Sequence, residues 1–128
     1  MESMNSQKLL ALAKEASNNA YSPYSGINVG AALLCENGNI YTGVNVENAS
    51  YGATICAERT AFTKAISEGE RDFVAIAVAG SIRNLIPCGM CRQFMAEFNP
   101  TLTVIYENED GEMVQTNLTN LFPSHFKL

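Results

Sequence analysis

Cationic side chains are scarce in this chain: lysine and arginine together number 8 in 128 residues, against 13 aspartates and glutamates. The formal net charge is -5. No run of cations forms a stripe, and a groove that tracks a phosphate backbone needs clustered positive charge. Polynucleotide binding is therefore disfavoured, and a small, nearly neutral ligand fits better. No apolar stretch reaches the roughly 18 residues of a membrane span, so no membrane partner is expected. The opening residues, Met1 to Ser6, lack a positively charged segment followed by an apolar block, the pattern of an export signal. Histidine occurs once, at His125. What is present is globular material. Hydrophobic residues make up 47% and charged residues 16%, enough apolar content for a core. The length fits one domain over residues 1–128.

The four cysteines are Cys35, Cys56, Cys88 and Cys91. A domain with this apolar fraction does not need two disulfides, and nothing points to export. A cytoplasmic location is expected, in which the sequons at Asn48 and Asn117 carry no meaning.

Leu9, Leu10, Leu12, Ala13 and Ala16 fall at helical spacing and predict a first helix from about Ser6 to Asn18. Alternation predicts a strand over Ile27 to Cys35. Glu36-Asn37-Gly38-Asn39 is a hairpin turn signal, because Asn-Gly tolerates positive φ. The second strand follows over Ile40 to Val44. After a polar loop comes a second helix from about Ile55 to Glu68, with Thr54 as candidate N-cap and Gly69 as its stop. Phe73 to Ala79 reads as a buried strand. A third helix is expected from Pro87 to about Phe98. Leu102 to Tyr106 and Met113 to Gln115 read as antiparallel strands, because their connection is too short for a parallel crossover. One helical turn is expected in the tail. The order α-β-β-α-β-α-β-β-α predicts an α/β fold, an αβα sandwich around a five-stranded mixed sheet.

Cys88-Gly89-Met90-Cys91 opens the third helix. Residues three apart share a helix face, so two thiolates there can grip one metal ion. The helix N-terminus stabilises thiolates. Alone, this spacing fits a metal site or a redox pair equally well. Cys56 opens the second helix and could supply a third ligand. Three protein ligands would leave the fourth tetrahedral position open, as in catalytic rather than structural zinc sites. Cys35 lies in an alternating strand and reads as a small core hydrophobe. Glu58 raises a difficulty, because residues two apart do not share a helix face. Cys56 and Glu58 address one site only if it lies off the end of the helix. On its own, Glu58 reads as a first-turn carboxylate complementing the helix dipole. Cys-Ala-Glu followed by Pro-Cys-x-x-Cys, however, is the cysteine form of a zinc-deaminase signature.

With these motifs the chain resembles the cytidine deaminases, in particular the short class that binds zinc through three cysteines. Matching segments are Ala20 to Ser25, Val29 to Leu34, Gly43 to Gly52, Cys56 to Ala61 and Pro87 to Gln93. The resemblance implies that Cys56, Cys88 and Cys91 hold one Zn²⁺ per subunit and that Glu58 shuttles protons. It implies that Asn45 and Glu47 hydrogen-bond the ribose hydroxyls and that the backbone at Ala57 meets the pyrimidine. Arg59 would hydrogen-bond the thiolates and offset their negative charge; by itself it reads as a surface salt bridge. Phe126 matches an aromatic that covers a neighbouring subunit's site; by itself it reads as part of a disordered tail. Ile27 stands where the family usually carries an aromatic against the nucleoside, so base contact is expected without stacking. Met90 replaces a smaller residue. His125 matches no ligand position and is expected on the surface.

The implied function is hydrolytic deamination of cytidine and 2′-deoxycytidine to the uridine forms plus ammonia, in pyrimidine salvage, by a homotetramer with sites near subunit interfaces. A deaminase of a cytosine-like nucleoside antibiotic would share the zinc motif. A non-enzymatic zinc-binding module would bind metal without consuming cytidine.

Overall fold

The computed structural model describes residues 5–128. Residues 1–4, part of the N-terminal stretch read above as lacking an export signal, lie outside the described residues. Helix α1 (Ser6–Ala16) starts because the Asn5 side chain accepts the Lys8 N–H at 3.0 Å, satisfying one of the first-turn donors. It ends in a 3₁₀ turn, Ser17–Asn19. Strands β1 (Val29–Cys35) and β2 (Ile40–Val44) form the expected hairpin, with Gly38 at φ 95 in its turn. Helix α2 (Ala57–Ser67), strand β3 (Phe73–Gly80), helix α3 (Gly89–Phe98), strands β4 (Thr103–Glu107) and β5 (Met113–Asn117) and a final turn α4 (Leu118–Leu121) follow.

The sheet order is β2-β1-β3-β4-β5. Strand β1 runs antiparallel to β2 and β3, β3 runs parallel to β4, and β4 runs antiparallel to β5. Side chains alternate across the sheet, so β1 feeds two layers. Ala31, Leu33 and Cys35 join α2 and α3 through Ala61, Phe62 and Met95. Ala32 joins Ala75, Ala77, Ala79 and Ile105 under Leu9 and Ala13 of α1. The result is the expected αβα sandwich around a five-stranded mixed sheet. The small residues on the α1 face let that helix sit close: a Cβ at Gly30 would stand 2.0 Å from the Ala13 carbonyl oxygen.

Between α2 and α3 the core is aromatic. Phe62 is fully buried, with its ring 4.8 Å from that of Phe73 and 5.9 Å from that of Phe98. Such pairs each add about 0.5–1.5 kcal/mol beyond area burial. This cluster fixes the two helices side by side, and their N-termini carry the cysteine motifs.

Three element starts move by two residues, each for a visible reason. Helix α2 starts at Ala57 rather than Ile55, because the Ile55 N–H and carbonyl are both spent on Val46, at 3.0 and 2.9 Å. Thr54 is therefore not the N-cap; its hydroxyl oxygen accepts the Asn48 N–H at 3.1 Å, and Cys56 takes the cap position. Helix α3 starts at Gly89 rather than Pro87, with Cys88 extended at ψ 170. Strand β1 starts at Val29 rather than Ile27, whose N–H and carbonyl bond to the Ser25 and Asn45 side chains instead of a ladder. Cys35 is buried in the core, as expected. His125 is partly exposed. Among the described residues no helix is long and apolar enough to cross a membrane.

Candidate metal centre and active site

The N-termini of α2 and α3 bring three sulfurs together. Cys56 caps α2 and Cys88 caps α3, and their carbonyls accept the first helical bonds, from Thr60 and Arg92 at 3.0 and 2.9 Å. Neither thiol caps its own helix, so both sulfurs are free for another partner. Cys91 lies in the first turn of α3. The three Sγ atoms are all within 4.8 Å of one another, and no other metal-ligating side chain joins them among the described residues. The Cys56 thiol is held below its ordinary value, first by the Cys91 S–H hydrogen bond, against burial, with further help from Arg59. Cys91 is pushed up, first by that same bond to Cys56 and then by burial.

This donor set fits zinc. Soft thiolates select it, and three protein ligands leave one tetrahedral position for water or substrate. Arg59 supports the fit. Its Nη2 donates to the Thr54 carbonyl at 3.2 Å and lies 3.9 Å from the Cys56 sulfur, and its Nε is buried without a partner. A buried guanidinium N–H left over beside three sulfurs suits a cluster carrying excess negative charge.

Glu58, in the first turn of α2, is 4% exposed. Burial pushes its carboxyl up to about 7, against the pull of its own backbone N–H, with the charge on Cys56 adding to the rise. A carboxyl in that range can both take and return a proton near neutral pH. The spacing problem is resolved by Cys56 standing outside the helix, at ψ 156. Its side chain is freed from helical periodicity, and both residues line one pocket.

That pocket has a volume of about 250 Å³ and is bounded by Cys56, Ala57, Glu58 and Cys88, by the polar Asn45 and Glu47, and by an apolar wall that includes Val29, Val78, Leu85 and Ile86. Asn45 is buried. Its Oδ1 accepts the Val29 N–H and its Nδ2 donates to the Ile27 carbonyl, both at 2.9 Å. One lone pair and one N–H remain for a ligand. The Glu47 carboxylate accepts the N–H groups of Tyr24 and Ser25 at 2.9 and 3.1 Å, and the Ser25 hydroxyl. Those bonds, the Ser25 hydroxyl foremost, hold Glu47 below its ordinary value. An ionised carboxylate only accepts, so it suits ligand hydroxyls.

The structure thus gathers Cys56, Cys88, Glu58, Asn45, Glu47 and Ala57 at one pocket, with Cys91 behind them in the sulfur cluster and Arg59 beside the Cys56 sulfur. Ile27 is half-buried, and its carbonyl accepts the Asn45 side-chain N–H. Phe126 is 69% exposed, and its N–H and carbonyl are clasped by Gln93, each at 2.9 Å. Sequence reasoning missed the Leu85–Ile86 wall, the Ser25 brace on Glu47 and the role of Gly43. A Cβ at Gly43 would lie 2.4 Å from the Ala61 nitrogen and 2.5 Å from the Ala57 oxygen, so its bare backbone seats α2. A glycine inside a strand pattern is the signal that marks such a close approach.

Comparison with known proteins agrees with this geometry. The family model for the cytidine and deoxycytidylate deaminase zinc-binding region matches residues 3–107. A cytidine deaminase of Sporosarcina psychrophila is 48% identical over 125 residues, spanning 96% of this chain and 92% of that one. A blasticidin-S deaminase of Bacillus cereus is 36% identical over 104 residues, 74% of each chain. The crystal structure of a cytidine deaminase from Burkholderia pseudomallei superposes with a TM-score of 0.89 at 45% identity, covering 96% of this chain and all of that one (100%). The chain belongs to the cytidine and deoxycytidylate deaminase family, and it is an enzyme of that hydrolytic class.

Proposed function

We propose that this enzyme deaminates cytidine and 2′-deoxycytidine to uridine and 2′-deoxyuridine with release of ammonia, using one zinc ion per subunit held by Cys56, Cys88 and Cys91. The observation that carries the reading is a single pocket that joins the edge of a three-sulfur cluster, a buried carboxyl poised at about 7, and two polar side chains with free hydrogen-bonding capacity. Bound zinc supplies the Lewis acidity that makes water nucleophilic near neutral pH. The Glu58 carboxylate takes the proton of the attacking water and gives it to ring N3 as C4 is attacked. It then relays a proton to the departing amino nitrogen, so one water is consumed and one ammonia leaves. Asn45 and Glu47 hold the ribose hydroxyls, and the Ala57 backbone faces the ring. Arg59 offsets the excess charge of three thiolates.

Ile27 gives an aliphatic contact to the base, and Phe126 covers the site of a neighbouring subunit in a homotetramer. The small, nearly neutral substrate suits a chain of net charge -5, and the expected role is pyrimidine salvage in the cytoplasm. A second reading, deamination of a cytosine-like nucleoside antibiotic, is favoured by the similarity to the blasticidin-S deaminase. An ultraviolet assay on cytidine, deoxycytidine and blasticidin S, with and without a strong chelator, decides. Chelator-sensitive loss of cytidine absorbance is expected. Turnover of blasticidin S alone selects the second reading, and turnover of none removes both.

A further inference from the structure

The connection from β3 to α3 carries part of the pocket wall, yet it is fastened on its other side to β4. Asn84 stands at φ 62 and is the one non-glycine residue of positive φ among the described residues. Its N–H donates to the Glu107 carbonyl at the end of β4, at 2.7 Å. Arg83 reaches the same place: its Nε lies 3.7 Å from Glu107 Oε1 and its Nη1 3.5 Å from the Glu109 carbonyl. The guanidinium rests on Gly111 in the β4–β5 turn, where a Cβ would come within 2.9 Å of it.

Directly after this tether the Ile86 N–H closes on the Asn84 carbonyl at 3.1 Å, and Leu85 and Ile86 enter the pocket lining. Leu85 Cδ1 packs on Gly80, 2.9 Å from where a Cβ would be. The chain must therefore leave the Glu107 bond and reach the pocket within one residue. A left-handed backbone at residue 84 makes that reversal. Asparagine enters this region at low cost, whereas a β-branched side chain does not.

We propose that Asn84 is a positioning residue for substrate: its left-handed backbone and its bond to Glu107 set where Leu85 and Ile86 stand as the apolar wall of the pocket. The inference rests on reading that pocket as the nucleoside site. It goes beyond that reading by assigning a role to a residue outside every matching motif.

The test is steady-state kinetics on cytidine with the zinc-loaded enzyme, alongside metal content. Asn84→Val is expected to raise KM at least about three-fold, with kcat within about two-fold and metal content unchanged. Asn84→Gly keeps the conformation and is expected to hold KM within about two-fold of the native value. A native KM in Asn84→Val overturns the inference, as does a glycine variant impaired as much as the valine. If the valine variant fails to fold, Asn84→Ala carries the same test with the same outcomes. Hydrogen exchange at the Ile86 amide needs no substrate and is read in parallel. Exchange is expected to be faster in the valine variant and native-like in the glycine variant; equal rates in all three overturn the inference. A native protein inactive on cytidine would sink the functional reading instead, and the exchange rates would still decide the placement of the wall.

Discussion

Arg59 Nη2 stands 3.9 Å from the Cys56 sulfur, while the Nε of the same guanidinium is buried without a partner. A positive group that close to the sulfur cluster would tune it from outside the proposed ligand set, and such partners are typically worth about 10–100-fold in metal affinity. Arg59→Gln is expected to weaken zinc binding by about that factor, read by chelator competition. Native affinity in this variant would restrict Arg59 to its bond with the Thr54 carbonyl.

Glu58 is buried and pushed up to about 7, but it is not one of the three clustered sulfur donors. Glu58→Gln keeps the shape and removes the proposed proton relay. Zinc content and folding are expected to stay native while kcat falls about 10²–10⁴-fold. Substantial turnover in this variant would take the proton transfers away from Glu58.

Gly43 lets β2 lie against the backbone of α2, with 2.4 Å to the Ala61 nitrogen from a Cβ built there. Backbone cannot swing aside as a side chain can. Gly43→Ala is expected to cost roughly 1–3 kcal/mol or more, seen as a lower thermal midpoint. Zinc retention should fall with it, because the displaced helix carries Cys56. An unchanged midpoint would mean that α2 can shift without loss.

Cys35 is free, buried in the core and separate from the three clustered sulfurs. Burial pushes its thiol up to about 11, with the Glu70 charge adding to the rise. Cys35→Ala is therefore expected to keep full zinc content and to lose only about 1 kcal/mol from the missing buried sulfur. Loss of metal would make Cys35 a ligand.

The Glu70 carboxylate gathers the side-chain amides of Asn39 and Asn37, at 2.8 and 3.0 Å, and the Tyr41 hydroxyl at 3.0 Å. The Asn39 and Asn37 bonds, in that order, lead in holding it below its ordinary value of 4.5. A carboxyl whose folded value is depressed stabilises above its unfolded value, and the contribution is lost as pH falls through the folded one. Glu70→Gln is expected to melt earlier than native at neutral pH, with the gap closing below about pH 4.5. Glu47, also depressed, is present in both proteins and drops out of the difference. A gap that persists at low pH would show that the charge is not what holds the hairpin.

The sequence by itself determined the order of the elements, the two layers over the sheet and the candidate residues for the chemistry. Those are local facts: apolar periodicity selects helix or strand, and sulfur and carboxylate carry their chemistry wherever they stand. It left Glu58 two residues from Cys56 with no common helix face. Only the tertiary structure decided that question, because Val46 takes both backbone groups of Ile55 and so delays the helix until Cys56 is its cap. The same holds for the ligand pocket. Asn45 is braced by Ile27 and Val29, Glu47 by Tyr24 and Ser25, and the Leu85–Ile86 wall by Glu107. Each brace joins residues distant in the chain, and a backbone bond of that kind leaves no mark in local composition or spacing.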